Sequence, residues 1–231
     1  MPAEANHNKI IVVIPVYNEG PVIRQVITSL LKIVSTIIVV DDGSAVPVID
    51  QLGNLPVVNI RHRVNLGQGA ALQTGLTYAR SLNPDIVITF DADGQHNEED
   101  LKSLMAPIVS NQADVVLGSR FLPDSEKTVP FARRVTLQLA RIINFLLSGV
   151  LLTDAHNGLR AMNKTALEKI SLTENRMAHA SEFLFEIKKH KLRFKEVPVH
   201  IRYTDYSRQK GQTGGDSIKV LFDLLLHKLF K

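Results

Sequence analysis

The chain of 231 residues has no cysteine and no tryptophan. Without cysteine there is no disulfide framework, no thiolate metal site and no cysteine nucleophile, which is typical of a reducing compartment. The sequence also lacks the uninterrupted run of about 18 apolar residues that a membrane-spanning helix needs. The polar N-terminal residues carry no signal-peptide core, and we therefore expect a cytoplasmic protein.

The chain also has little net charge, since 27 lysines and arginines and 23 acidic residues give a net charge of +4. The cations become more frequent in the C-terminal half, yet no helix-turn-helix, zinc-finger or aromatic-basic RNA motif accompanies them. We therefore expect no nucleic-acid partner. Attraction to anionic lipid or to a phosphorylated substrate explains the basic bias better, although a solvated surface explains much of it equally well.

Apolar runs alternate with helical patterns, which predicts an α/β fold with a Rossmann-like, mostly parallel sheet flanked by helices. Predicted strands cover 10–15, 37–40, 57–62, 86–90, 115–119 and 194–202. Predicted helices cover 22–33, 69–81, 99–110, 133–151, 165–170, 181–190 and an amphipathic C-terminal stretch, 217–231. No repeat or linker divides the chain, so we predict one domain over 9–202, a flexible N-terminus over 1–8 and a C-terminal extension over 203–231.

Two carboxylates, Asp91 and Asp93, directly follow the buried strand predicted at 86–90. Ligands bind at the carboxyl edge of such sheets, and hard oxygens suit Mg²⁺ or Mn²⁺ shared with substrate phosphates. Gln95 offers an amide oxygen to the same metal. His96 is a possible further ligand, but a lone surface histidine is the better interpretation. The alternative is a turn in which an aspartate caps the next helix.

Three earlier strand ends carry polar or small residues that suit a nucleotide. Tyr17 and Glu19 follow Pro15 and offer a ring and a carboxylate to a base or ribose, or mark only a strand exit. Asp42 accepts hydrogen bonds from a ribose or base, or belongs to an Asp-Gly turn. Gly67 opens a helix, which lets backbone amides approach a ligand or simply allows a tight helix start.

In combination these motifs resemble family 2 glycosyltransferases of the GT-A fold, most closely the polyprenyl-phosphate (dolichyl-phosphate) mannose or glucose synthases. The resemblance runs from about Lys9 to about Arg202. It rests on residues 13–19, 41–44, 65–67, 91–96, 118–121 and 153–160. It implies a metal-dependent, inverting enzyme that moves a sugar from a UDP- or GDP-sugar to a polyprenyl phosphate at a membrane surface.

The resemblance also implies a role for individual residues. The nucleoside would be held by Pro15, Tyr17, Glu19 and Asp42. Mg²⁺ or Mn²⁺ on the donor diphosphate would be bound by Asp91, Asp93 and Gln95. The acceptor phosphate would meet Arg120, Arg133 or Arg134, and Arg202.

Asp154 lies where hydroxyl-using members of the family place a general base. An acceptor phosphate is already anionic and needs little deprotonation, so Asp154 would then mainly position other groups. Arg160 is either a site residue or an ion-pair partner of Asp154. Ser181 and Glu182 lie at the acceptor edge or only begin a helix.

The segment after Arg202 is predicted to form a lid whose Arg208 and Lys210 close over the diphosphate, or else a connector. The two apolar helices at 133–151 and 217–231 would attach to the membrane surface, pack on the core, or contact a second copy or a membrane partner protein. The Gln-x-x-Arg-Trp signature of processive synthases is missing, which disfavours a polymer-making enzyme. The alternatives are a transferase acting on a sugar hydroxyl with Asp154 as base, a nucleotidyltransferase, and a non-catalytic nucleotide-sugar-binding module.

Overall fold

The computed structural model describes residues 8–123, 145, 149–150, 152–154 and 157–202. The strands are β1 (Ile10–Val16), β2 (Thr36–Asp41), β3 (Val58–Arg61), β4 (Ile86–Thr89), β5 (Val115–Ser119), β6 (Arg160–Asn163) and β7 (Phe194–Pro198). The helices are α1 (Val22–Leu30), α2 (Val48–Leu52), α3 (Gln68–Ser81), α4 (Asp100–Val109), α5 (Lys164–Lys169) and α6 (His179–Lys189).

The strands form one seven-stranded sheet in the order β3-β2-β1-β4-β6-β5-β7. All neighbours are parallel except β6, which runs antiparallel to both β4 and β5. Because β4 and β5 flank the same antiparallel strand, their carboxyl ends point to the edge where β1 and β2 also end. The predicted α/β sheet is thereby confirmed.

The central strands are apolar on both faces because helices cover the sheet on both sides. Every residue of β4 is buried, as are all but the first residues of β1 and β2. Alternate residues of β1 belong to two separate clusters, Ile11 and Val13 on one face and Val12 and Ile14 on the other. Two cores therefore hold the sheet rigidly in place beneath its carboxyl edge.

Two short elements were missed and several ends differ from the predicted ones. The helix α2 has only five residues, and β6 reads Arg-Ala-Met-Asn, which has no β-branched residue to mark a strand. The predicted strand 194–202 ends at Pro198, after which Ile201 forms only an isolated bridge with His96. The predicted helices at 133–151 and 217–231 fall essentially outside the described residues. Within the described ranges, no helix combines the length and the apolar content needed to cross a bilayer.

Asp114 ties the starts of β5 and β7 to the end of β6. Its carboxylate accepts hydrogen bonds from the backbone and guanidinium of Arg193, at 2.9 to 3.1 Å, and from the Asn163 amide at 3.0 Å. The hydrogen bonds from Arg193 lower the pKa of Asp114 to about 2.

A group whose pKa is lowered on folding stabilises the protein above its unfolded-state pKa and loses that contribution as the pH falls through the folded value. We therefore expect Asp114→Asn to reduce the free energy of unfolding at pH 6 and to flatten its decline between about pH 4 and pH 2. Urea denaturation across that range measures both effects. Asp50→Asn, on the exposed side of α2, is the matched control and should leave the slope unchanged. An Asp114→Asn curve parallel to that of the wild type would contradict the assignment.

Candidate active site

A cavity of about 600 Å³ opens at the carboxyl edge of the sheet. Its lining combines the ends of β1, β2 and β4, the start of α3 and the segments around residues 120, 157 and 176. Nine residues singled out in the sequence line it, namely Pro15, Tyr17, Glu19, Asp42, Gly67, Asp91, Asp93, Gln95 and Arg120. Residues separated by about a hundred positions in the chain thus meet in one space.

Asp91 lines the cavity, and its carboxylate contacts neutral and basic side chains. Its carboxylate accepts a hydrogen bond from the Gln68 amide at 3.1 Å and contacts His96 Nε2 at 3.0 Å. His96 is 7% exposed, so its interpretation as a surface histidine is wrong. The alternative in which an aspartate caps α4 also fails, because residue Glu99 takes the cap position without a side-chain hydrogen bond.

The two neighbouring carboxylates titrate in opposite directions. Burial by itself would raise the pKa of Asp91, but the hydrogen bond and charge of His96, with the charge of Arg160, hold that pKa below its usual value. Burial and the negative charge of Asp91 raise the pKa of Asp93. The pair thus concentrates negative charge that a cation would neutralise.

The space against Asp91 exists because residue 158 is glycine. A Cβ atom on Gly158 would lie 2.2 Å from Asp91 Oδ2, so any side chain there would displace the carboxylate. Behind it, Arg160 is buried and stacks on the Phe183 ring at 4.5 Å. Burial lowers the pKa of Arg160 to about 10, which leaves it charged at neutral pH and able to compensate the charge of Asp91 and Asp154.

The two aspartates that end β2 have different partners. The Asp41 carboxylate accepts hydrogen bonds from the Ser44 amide at 2.8 Å and the Val48 amide at 3.1 Å, so it fixes the turn into α2. Asp42 turns to the cavity side, where its carboxylate accepts from the amides of Leu66 and Gly67 at 3.0 and 2.7 Å. Asp42 therefore shapes the segment before α3 as well as lining the cavity.

The glycines that open α3 accommodate a loop of the protein itself. A Cβ on Gly67 would lie 2.2 Å from the Asn175 carbonyl oxygen, and one on Gly69 would lie 2.0 Å from that of Glu174. The Ala70 amide donates to the Asn175 carbonyl at 3.2 Å. The sequence pattern predicts that these small residues let a ligand approach. In the structure they also allow residues 174–175 of the protein itself to pack against α3.

Arg120 lines the cavity and forms a buried ion pair with Asp154, which is not among the lining residues. The guanidinium donates to both carboxylate oxygens, from Nε at 2.6 Å and from Nη2 at 2.7 Å, and the Arg120 amide adds a third bond at 3.1 Å. The two side chains are 11% and 1% exposed. The ion pair that the sequence suggested between Arg160 and Asp154 is therefore made by Arg120 instead.

The remaining predicted site residues lie elsewhere. Arg202 does not line the cavity, although its amide donates to the Gln95 carbonyl at 2.8 Å and its guanidinium donates to Asn97 at 2.9 Å. Glu182 accepts hydrogen bonds from the amides of the 173–174 loop. Four predicted cations lie outside the described residues, namely Arg133, Arg134, Arg208 and Lys210.

Sequence reasoning missed the role of four cavity residues, although three of them lie in or next to the motifs at 65–67, 91–96 and 153–160. Gln68, His96 and Gly158 surround Asp91, and their role depends on long-range packing that one sequence does not reveal. Arg176 lines the cavity from the loop before α6, in a stretch where only the following helix start had drawn notice.

The donor set fits a divalent cation that is shared with a substrate. Among the described residues, no group of three or more histidine, cysteine, aspartate or glutamate side chains forms a complete metal site. Mg²⁺ typically binds through one or two carboxylates and takes its other ligands from phosphates and water. The pair of Asp91 and Asp93, open to a cavity on one side, matches that requirement.

Known proteins share sequence or fold with this chain. The sequence model of "Glycosyl transferase family 2" matches residues 11–171. The UDP-N-acetylglucosamine–dolichyl-phosphate N-acetylglucosaminyltransferase of Methanococcus voltae is 36% identical over 96% of this chain and 97% of its own. The polyprenol monophosphomannose synthase of Mycolicibacterium smegmatis is 31% identical over 71% of this chain and 64% of its own.

Among solved structures, the chain is similar to glucosyl-3-phosphoglycerate synthase from Mycobacterium tuberculosis in complex with Mn²⁺, UDP and glucosyl-3-phosphoglycerate. The TM-score is 0.67 at 18% identity, and the match covers 94% of this chain and 80% of that one. At this identity the likeness establishes a shared fold.

Proposed function

Because this chain belongs to glycosyl transferase family 2 and has the GT-A fold, we propose that it moves one sugar from a UDP- or GDP-sugar to a polyprenyl phosphate. The observation that carries the proposal is a cavity that is lined by the paired carboxylates, by the ends of β1 and β2 and by Arg120. The name of the relative from Methanococcus voltae includes dolichyl phosphate, and the relative from Mycolicibacterium smegmatis is named as a polyprenol monophosphomannose synthase, which supports the acceptor class.

In this proposal the donor lies across the carboxyl edge of the sheet. Pro15, Tyr17, Glu19 and Asp42 hold the nucleoside, beside Gly67, and the diphosphate extends toward the end of β4. A divalent cation, Mg²⁺ or Mn²⁺, supplies charge neutralisation for the departing diphosphate when it is bound by Asp91, Asp93 and Gln95. Complexes of structural neighbours with UDP and either Mn²⁺ or Mg²⁺ support this choice.

The reaction is an in-line displacement. An oxygen of the acceptor phosphate forms a bond to the anomeric carbon while the bond from that carbon to the diphosphate breaks, and the nucleoside diphosphate leaves with the electron pair. Attack from the face opposite the leaving group inverts the configuration. The attacking oxygen is anionic at neutral pH, so no side chain has to remove a proton.

The state of Asp154 favours a phosphate acceptor over a sugar hydroxyl. A general base needs an oxygen that reaches the acceptor proton, but both oxygens of Asp154 accept from Arg120. We therefore assign to Asp154 the role of positioning Arg120, whose guanidinium binds the acceptor phosphate in this proposal.

A nucleotide-release screen tests the reaction. The enzyme is incubated with UDP- and GDP-sugars and Mn²⁺, with and without undecaprenyl phosphate, and free nucleotide is measured. We expect release that depends on the lipid phosphate. Release with a sugar-alcohol acceptor alone would favour the hydroxyl-using alternative, and tight donor binding without release would favour a non-catalytic binding module.

Membrane attachment is the second part of the proposal. An acceptor with a long prenyl chain stays in the bilayer, so an enzyme for it works at the membrane surface, here at the cytoplasmic face. Residues 217–231 would supply an amphipathic helix for that contact. Liposome flotation of the full chain and of a chain lacking 216–231 measures the contribution; unchanged flotation would remove this segment from the proposal.

Gly158→Ala should weaken metal and donor binding while the fold survives. The new Cβ would lie 2.2 Å from Asp91 Oδ2, and Gly158 has no positive φ, so the carboxylate moves and the backbone does not. We expect a loss of at least about tenfold in Mn²⁺ affinity with the nucleotide present, since one ligand is displaced. Calorimetry measures the affinity and urea denaturation measures the fold. Unchanged Mn²⁺ affinity would contradict the assignment of Asp91.

A further inference from the structure

Arg176 lines the cavity, and no acidic side chain in the described part of the chain pairs with its guanidinium. Arg120 and Arg176 are the two arginines of the described residues that line the cavity. Arg120 is engaged with Asp154, whereas the Arg176 side chain has no hydrogen bond or ion pair with any described residue. A cation that faces a cavity for anionic substrates is suited to bind one of their anionic groups.

The backbone of Arg176 is fixed, so its side chain projects from a defined point. Its carbonyl oxygen lies 3.2 Å from the His179 amide and 2.7 Å from His179 Nδ1. His179 is buried, and burial, with the charge of Arg160, lowers the pKa of His179 to about 4. The ring is therefore neutral at physiological pH, and its Nδ1–H donates to the Arg176 carbonyl.

The loop that leads to Arg176 is held from two sides. The Glu182 carboxylate accepts hydrogen bonds from the amides of Thr173 and Glu174, each at 2.9 Å. On the other side, the Leu172 amide donates to the Gln73 side chain on α3 at 2.7 Å. Together with the contacts of Gly67 and Gly69 described above, these bonds seat the loop on the first turns of α3.

This seat places Arg176 near the carboxylate end of the cavity. A Cβ on Gly67 would lie 3.0 Å from Arg176 Cγ, so the arginine stem packs on the residue that precedes α3. The next residue, Gln68, donates its side-chain amide to Asp91. Two consecutive residues, Gly67 and Gln68, therefore contact Arg176 and Asp91 respectively, so the arginine and the predicted metal ligand lie along the same wall of the cavity.

We propose that Arg176 binds a phosphate group during the reaction, either of the donor diphosphate or of the lipid acceptor. This inference rests on the proposed function, because that function supplies the two phosphorylated substrates. A guanidinium presents a planar pair of donors that matches two phosphate oxygens. Its mounting on a fixed loop keeps that pair in place before the substrate arrives, which reduces the entropy lost on binding.

The test compares the full-length protein with Arg176→Gln, Arg176→Lys and Arg63→Gln. Arg63 is exposed and lies outside the cavity lining, so it controls for the loss of one positive charge. Calorimetry with Mn²⁺ measures the affinity for UDP and GDP in one arm and for a short-chain polyprenyl phosphate in the other. Initial rates give KM for each substrate.

For Arg176→Gln we expect affinity for one of the two ligands to fall by about 10- to 100-fold, the usual effect of losing a charge-assisted hydrogen bond. The arm that changes identifies the phosphate. Arg176→Lys should recover part of the affinity, and Arg63→Gln should match the wild type. The side chain is exposed, so the thermal unfolding midpoint should not move.

Two results overturn the inference in distinguishable ways. In the first, the wild-type protein turns over polyprenyl phosphate and the affinities of Arg176→Gln stay within twofold of wild type in both arms. This result refutes the role of Arg176 but leaves the proposed function standing. A wild-type protein that binds neither ligand and releases no nucleotide refutes the proposed function, and the phosphate role of Arg176 with it.

Discussion

Replacing either carboxylate of the pair at the end of β4 should nearly abolish turnover. We expect Asp91→Asn and Asp93→Asn each to lower kcat by at least about 1000-fold, which corresponds to about 4 kcal/mol of lost transition-state stabilisation. The reason is that the diphosphate leaves with charge that the carboxylate-bound cation would neutralise. Nucleotide release under saturating donor and acceptor measures the effect.

The same substitutions should leave the fold intact. Asp91 has a side chain that is 29% exposed, and its negative charge is one of the causes that raise the pKa of Asp93. Asp93→Asn removes this repulsion, so the free energy of unfolding should stay the same or rise. Asp91→Asn also loses the favourable interactions with His96 and Arg160 that lower the pKa of Asp91, so it should reduce the free energy of unfolding without unfolding the protein. Asp50→Asn, on the exposed side of α2, controls for the loss of a carboxylate. Near-normal kcat in either variant with metal present would show that the pair is not the metal site.

Removing Arg120 should destabilise the protein more than removing any exposed arginine. Arg120→Met leaves the Asp154 carboxylate buried and without its guanidinium, for which we expect a loss of about 3–5 kcal/mol in the free energy of unfolding. Arg63→Met removes an exposed arginine that lies outside the cavity lining and should cost only about 0–1 kcal/mol. Urea denaturation of both variants gives the comparison.

A double variant separates the contribution of Arg120 to stability from its role in binding the acceptor phosphate. Arg120→Met combined with Asp154→Leu removes both charges, and we expect it to recover most of the lost stability. Turnover should remain low, because the Arg120 guanidinium assigned to the acceptor phosphate is gone. A double variant that recovers turnover as well as stability would show that Arg120 serves the fold alone.

The sequence predicts the sheet well because its central strands carry their signal locally. The runs at β1, β2 and β4 are apolar and β-branched, and they directly precede the polar residues of the cavity. A short strand such as β6 has no such signal, since its pairing with β4 and β5 depends on residues about 45 to 75 positions away. Its antiparallel direction likewise follows from packing and not from its composition.

The residues of the site were likewise predicted where their signal is local in the sequence and missed where it depends on packing. Asp91, Asp93 and Asp42 were found because strand-end carboxylates carry a chemical meaning in sequence. Arg176 was not found, because its place on the cavity wall depends on Gly67 and on a loop held by Glu182. The partner of Asp154 was misassigned for a related reason, since two arginines lie near this carboxylate and only geometry selects Arg120.

The central claim is that an ion bound by Asp91 and Asp93 carries the donor diphosphate in this cavity. A crystal structure of the protein with Mn²⁺ and UDP or GDP, with anomalous data collected at the manganese edge, tests it most directly. The account predicts a manganese peak between the two carboxylates and the diphosphate oxygens, with the nucleoside over Tyr17 and Asp42. A nucleotide bound elsewhere, with no manganese at these carboxylates, would contradict it.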